Sequence, residues 1–242
     1  MRARFPGVDL TVYGTAVLRL VRNPALVVVP LLMLIVGVLI RHLLVPFGGG
    51  MTGTLTIGLA GFIMAVLALF GFGSACILAD DIWRTGRGSF DHAWTQTQRR
   101  TGELLTAAVG VTMILTLALY ISQLISVGVG IIIAALATYF LIFAVPAAAA
   151  GGVPGGLSIQ ISIDRVRSAP LAAAIATVVT LVLVFYAAPA LAVMVGGAAA
   201  AWVYGGTLTF DLLLALFQSI AAAYAALILT KVFTELSLSR RY

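Results

Sequence analysis

Of 242 residues, 62% are hydrophobic and only 9% are charged, against roughly 25% charged in an ordinary soluble domain. So few charges cannot clothe the core of a chain this size in water, which excludes a soluble globular protein and sends the apolar excess into lipid. The net charge of +6 comes from 14 basic residues, Lys231 being the only lysine. They lie singly or in pairs beside apolar runs, where membrane topology signals sit, and not in the clustered patch that nucleic-acid binding needs.

Arg2, Arg4, Arg19 and Arg22 precede the first apolar run. That run ends at Arg41-His42-Leu43-Leu44-Val45-Pro46 with no small-x-small cleavage site, so it reads as a retained first helix rather than a cleaved leader. A span of the bilayer core takes about 20 apolar residues. Six stretches qualify: 24–44, 55–78, 104–121, 124–149, 170–194 and 207–229. The third and fourth form one run too long for a single span, and Ser122-Gln123 is the expected turn between them. The junction from Gly196-Gly197 through Trp202 and Tyr204 to Gly205-Gly206 separates the last two, with both aromatics where an interfacial belt is expected.

Six spans with the N-terminus inside put 13 of the 14 basic residues on the cytoplasmic side, Arg41 alone being outside. A five- or seven-span arrangement scatters them over both faces, contrary to the positive-inside rule. The expected fold is therefore an all-α polytopic bundle, a single membrane domain over 1–242 in a prokaryotic cytoplasmic membrane, with both termini cytoplasmic. The outer loops hold only Arg41, His42 and Asp211, too little for an extracellular recognition module.

A repeat runs through this plan. Arg22 and Leu26, Arg100 and Leu104, and Arg167 and Leu171 each place a leucine four residues after an arginine, at the start of spans one, three and five. Before each lies a candidate amphipathic helix. Tyr13, Ala16, Val17 and Leu20 share a helical face in the first, and Phe90, Ala93 and Trp94 lie opposite Gln96 and Arg99 in the second. In the third, Leu157, Ile159, Ile161 and Ile163 alternate as in a strand, but a lone strand at the membrane leaves its backbone unpaired. A helix using Ile159, Ile163 and Val166 is expected there instead. The unit is an interfacial helix followed by a transmembrane hairpin, repeated three times at about 70 residues, over roughly 8–80, 88–150 and 157–235.

The spans carry almost nothing ionisable, and a charge at mid-bilayer costs about 2.5–3.5 kcal/mol on the insertion scale. This argues against a proton relay, a voltage sensor and carboxylate-coupled ion transport. His42 and His92 fall on opposite sides, and Cys76 is the only cysteine, so neither a bis-histidine haem nor a thiolate metal site is available. No cofactor is expected. Gly71-Phe72-Gly73-Ser74 has no histidine in any span to act as base and reads as small residues at a close helix contact. Pro30, Pro146 and Pro189 are candidate kinks or pathway markers, and Gln218 and Ser219 are candidates for interhelical hydrogen bonds.

Charge gathers on one face only. Asp80 and Asp81 are spaced to pair with Arg84, followed by Arg87. Asp164, Arg165 and Arg167 form a second cluster, and Asp91, Arg99, Arg100 and Glu103 complete a charged cytoplasmic rim, the one place where a polar partner can be read. Two stretches resemble an uncharacterised family of six-helix prokaryotic membrane proteins, which includes the membrane domain fused to some glycerophosphodiester phosphodiesterases. They are Ala79-Asp80-Asp81 through Gly86-Arg87-Gly88-Ser89-Phe90 to Ala93-Trp94 and Arg99-Arg100, and Pro146 with Ile163 to Ser168. Ala147 to Ala150 depart from the family's pattern, which has an acidic residue there. The resemblance implies architecture only, since the phosphodiesterase activity belongs to a separate soluble domain. These features are those of a non-catalytic scaffold or accessory subunit, with lipid and other membrane subunits as partners. A permease or passive conduit for lipids or small apolar molecules is the alternative.

Overall fold

The computed structural model describes residues 9–44, 50–125, 127–200 and 206–238. Arg2, Arg4, Pro46, Trp202, Tyr204, Arg240 and Arg241 lie outside the described residues, as do the side chains of Ser122 and Gln123. Among the described residues every regular element is a helix, because in hydrocarbon each helix satisfies its own backbone groups. Eleven α-helices follow in order: α1 (Thr11–Arg22), α2 (Ala25–Leu44), α3 (Gly50–Thr85), α4 (Phe90–Arg99), α5 (Thr101–Ile125), α6 (Val127–Leu141), α7 (Ala144–Ala149), α8 (Gly155–Ser168), α9 (Pro170–Leu181), α10 (Ala188–Ala200) and α11 (Gly206–Leu238). A π-helical segment, Val182–Ala187, joins α9 to α10.

Among the described residues six stretches are long and apolar enough to cross a membrane: Ala25–Leu44, Leu55–Thr85, Thr101–Ile121, Gly128–Ala149, Pro170–Gly196 and Leu208–Leu238. Their number agrees with the sequence reading, while several details differ. The expected turn at Ser122-Gln123 is helical, and α5 runs on to Ile125. Two polar residues do not break a helix whose i→i−4 ladder can continue through them. The second and sixth spans outrun their apolar stretches, α3 continuing through Asp80 and Asp81 to Thr85 and α11 past Lys231 to Leu238.

The fourth span is interrupted. Pro146 has no N–H and its ring crowds the carbonyl four residues back, that of Ile142, and α6 stops at Leu141. Two turn residues follow before α7 resumes. Ser162 of α8 repairs the gap: its hydroxyl accepts from the Phe143 N–H at 3.0 Å and donates to the Phe140 carbonyl at 2.7 Å. In the fifth span the same proline chemistry gives a different result. Ahead of Pro189 the helix widens into the π segment, which absorbs the lost bond without breaking the rod.

Small residues bring the helices together. Gly37 faces Met64, and Gly71 faces Pro30 and Met33, so α2 and α3 run antiparallel at close range. Gly73 lies against Leu104 and Val145, which realises the small-residue reading of the Gly71–Ser74 stretch. The Ser74 hydroxyl turns back to the Phe70 carbonyl on its own helix. Gly155 abuts the α5 backbone from Glu103 to Ala107, and Ile159 reaches Gly110, so α8 ascends parallel to α5. Its most buried positions are Gly155, Ser158, Ser162 and Val166, while Ile159 and Ile163 flank that face. The core centres on α3 and α11, whose most apolar 18-residue stretches are each half buried, with Phe143, Leu227 and Ile228 fully enclosed. The outer part of the fifth span lies at the periphery, only 11% of its most apolar 18-residue stretch being buried.

Candidate functional site

The charged groups are gathered at the ends of the bundle. At one end, Asp211 at the start of α11 meets two residues from the end of α2. Its Oδ2 lies 2.9 Å from His42 Nε2 and 3.8 Å from an Arg41 guanidinium nitrogen. The sequence names these three as the charges of the outer loops, and the fold brings them into one cluster.

The opposite end holds the rim. Asp80 pairs with Arg84 at 2.8 Å, one helical turn on. Asp81 turns away from Arg84 and lies 2.8 Å from His92 Nδ1, linking α3 to α4 in place of the expected local pair. Ser89 caps α4 by accepting from the His92 N–H. Gly86, at φ +82, closes α3 in the left-handed conformation that favours glycine. Arg87 and Arg99 are exposed. Asp164 and Arg167 of α8 form no ion pair among the described residues. The rim residues are thus distributed around the end of the bundle rather than converged on one pocket.

Three arginines do something the charge pattern does not announce. Arg19 of α1 donates to the Ile82 carbonyl in the last turn of α3. Arg100, between α4 and α5, donates to the Ala149 carbonyl that ends α7. Arg165 of α8 donates to the Leu236 carbonyl near the end of α11, at 3.1 Å. Each therefore brings a cationic donor to a carbonyl in the last turn of a helix, the negative end of its dipole. Each also precedes, in the chain, the pair of spans whose second member it caps. The Arg-x-x-x-Leu repeat marks a different set of positions: Leu26 and Leu104 are buried, but Leu171 is 60% exposed, and only Arg100 belongs to both sets.

Trp83 is the aromatic centre of this end. The Arg19 guanidinium lies 4.0 Å from its ring centroid and Lys231 Nζ lies 5.4 Å away, both within cation–π range. Its indole N–H donates to the Leu227 carbonyl at 2.9 Å. Burial holds Arg19 below the ordinary arginine value. Asn23 ties the same corner, donating to the Arg19 carbonyl and accepting from the Gly88 N–H. Asn23, His92, Trp83 and Lys231 are absent from the sequence-derived rim because each acts on a residue distant in the chain. Tyr224 of α11 clamps α1 by donating to the Tyr13 carbonyl at 3.0 Å. Burial first, then the neighbouring Tyr224, raises the Tyr13 phenol above its ordinary value.

Ser219 is fully buried but donates to Leu216 within its own helix, not across to another. An apolar groove of about 280 Å³ opens between α5, α6 and α8, with Arg167 among its lining residues. Among the described residues no cluster of three metal-ligating side chains occurs. No family model, no curated protein and no solved structure matches the chain.

Proposed function

We propose that this chain is a non-catalytic integral membrane protein serving as a scaffold or accessory subunit of a larger complex in a prokaryotic cytoplasmic membrane. In this reading three helical hairpins each follow a shorter helix: α1 and α4, expected to be interfacial, and α8, which runs along α5 instead of lying in the interface as the sequence suggests. Both termini and the arginine-rich end lie in the cytoplasm. Support for the triple plan comes from Arg19, Arg100 and Arg165, each capping the second span of its own pair. The resemblance of the 79–100 stretch to the six-helix family agrees with it.

The observation that carries the subunit role is the uncovered fifth span. Over its most apolar 18 residues only 11% are buried, against 50% over the corresponding stretches of the second and sixth. Phe185, Tyr186, Leu191 and Met194 all project from the bundle. Helix association in lipid is driven by close packing rather than by hydrophobic expulsion, so a span this loosely held has most of its contact surface available for another subunit. A photo-crosslinking residue at Tyr186, activated in native membranes, is expected to capture a discrete membrane-protein adduct. Adducts to lipid alone, together with a strictly monodisperse monomer after mild solubilisation, refute the role.

A conduit for lipids or small apolar molecules is favoured by one feature, the interruption of the fourth span at Ile142–Phe143. Broken helices often frame transporter sites. Flux of a lipid reporter across proteoliposomes, absent from protein-free vesicles, distinguishes it.

A further inference from the structure

We infer that two copies of this chain pair through the fifth span, the two Tyr186 hydroxyls hydrogen-bonding to each other at the centre of the bilayer. The inference deepens the subunit reading, on which it rests, by naming the partner as a second copy of the chain.

Tyr186 sits where a phenol is hardest to accommodate. Gly196, ten residues on, lies against Phe210 and Leu213, either side of Asp211 and its outer-end cluster. Ten residues at 1.5 Å each descend about 15 Å, half of the roughly 30 Å hydrocarbon core. Pro170 is sixteen residues the other way, about 24 Å, so neither polar boundary is within reach of the ring. The side chain is nevertheless 76% exposed, and its hydroxyl bonds to nothing among the described residues. Tyr139 and Tyr224 behave otherwise, each donating to a carbonyl of another helix. Tyr120, also exposed, stands near the outer end of α5, where interfacial aromatics belong.

Depth and chemistry narrow what can cover Tyr186. A hydroxyl left in hydrocarbon without a partner is costly. A threonine escapes by returning to its own helix, as Thr138 does to the Ala134 carbonyl; a phenol at the end of a rigid ring cannot. Acyl chains carry neither donor nor acceptor at mid-bilayer, so lipid leaves the hydroxyl unsatisfied. The partner must bring a polar group to the same depth, and a second copy does so by symmetry. A two-fold axis along the membrane normal changes no residue's depth, and at the axis it sets a residue against its own copy. Tyr186 then meets Tyr186, and a phenol both donates and accepts. Val178, Val182 and Val193 recur at helical spacing with Tyr186 and are exposed as it is. They flank the pair on both sides and supply the close aliphatic contact on which helix association in lipid depends.

The test uses the purified full chain, donor- or acceptor-labelled at Thr95→Cys, in proteoliposomes progressively diluted with lipid. Energy transfer above the random-proximity level is expected, falling as lipid is added. Tyr186→Phe keeps the ring and removes the hydrogen bond. It is expected to weaken the dimer about threefold to twentyfold, the range of interhelical side-chain bonds. Tyr186→Gln, which restores a donor and an acceptor, keeps the dimer, and Tyr120→Phe leaves it unchanged. Under copper–phenanthroline, Val182→Cys is expected to give a disulfide-linked species of twice the chain's mass, and Leu117→Cys, exposed on α5, is not. Wild type without energy transfer above the random level overturns the inference. So does Tyr186→Phe pairing as tightly as wild type, or Leu117→Cys linking as readily as Val182→Cys. A purified chain that stays monomeric, yet is captured at position 186 by a different membrane protein in native membranes, overturns it and leaves the subunit role standing. Adducts to lipid alone refute both.

Discussion

Ser162→Ala tests how the interrupted fourth span is held. The Ser162 hydroxyl is the acceptor for the buried Phe143 N–H and a donor to the Phe140 carbonyl, and both the serine and Phe143 are fully enclosed. Alanine removes one oxygen, leaves the helix backbone free to persist, and abandons both groups. Interhelical side-chain hydrogen bonds in membrane proteins average only about 0.6 kcal/mol, with a maximum near 1.7. Those values describe groups that find other partners when the bond is cut. Phe143 cannot, because the break that Pro146 imposes takes its N–H out of the helical ladder, and an unpaired buried amide costs about 1–3 kcal/mol. The orphan term dominates, and a loss of about 2 kcal/mol is expected. Reversible unfolding by dodecyl sulfate in mixed micelles, followed by tryptophan fluorescence, reads it. Ser168→Ala, an exposed serine bonded to the Arg165 carbonyl, is the control and is expected within about 0.5 kcal/mol of wild type. If Ser162→Ala behaves like that control, the serine is not what bridges α6 to α7.

The same assay reads substitutions at four further positions. Gly155→Ala places a methyl 2.6 Å from the Glu103 carbonyl oxygen and 2.8 Å from the Ala107 nitrogen. Backbone cannot swing aside, so a cost of about 1–3 kcal/mol is expected, with α8 displaced from α5. Arg100→Gln removes a charged donor from the Ala149 carbonyl. It should cost about 1–2 kcal/mol, toward the lower part of the charged hydrogen-bond range because the site is partly exposed, while Arg99→Gln is near neutral. Trp83→Phe keeps a ring for Arg19 but loses the indole bond to the Leu227 carbonyl, for about 1 kcal/mol; Trp83→Leu, which also removes the ring, should cost more. Thr112→Val replaces a buried hydroxyl that has no partner among the described residues and is expected to be neutral or mildly stabilising.

Six apolar stretches and one charged end were legible from composition, because the bilayer imposes both span length and the depletion of charge. The helix over 155–168 was legible too, through the cost of a lone strand. Helix ends were not. Hydropathy stops at Leu78, but a helix continues as long as its backbone ladder does, which carried α3 through Asp80 and Asp81. The break placed near Ser122-Gln123 falls a few residues later, between the end of α5 at Ile125 and the start of α6 at Val127, since polarity is a weaker punctuator than a missing N–H. Pro146 was visible as a kink, whereas its repair by Ser162 depends on a helix that comes later in the chain. The rim residues were found by charge, and Arg100 and Arg165 among them prove to be carbonyl caps. Backbone acceptors leave no mark in a sequence, so neither their partners nor the equivalence of Arg19 could be read. Asp81 was assigned to Arg84 by spacing and went to His92, because α4 folds back over the end of α3.

Single-cysteine accessibility tests the membrane arrangement most directly, and the native Cys76 is buried, so it leaves a quiet background. Leu43→Cys lies beside the Arg41, His42 and Asp211 cluster, and Thr95→Cys lies on exposed α4. In intact spheroplasts an impermeant maleimide is expected to label position 43, and to reach position 95 only after the membrane is opened. Labelling of position 95 from outside, with position 43 protected, would invert the bundle and contradict the assignment of the arginine end to the cytoplasm. Equal labelling of both in unopened spheroplasts would contradict the spanning arrangement altogether.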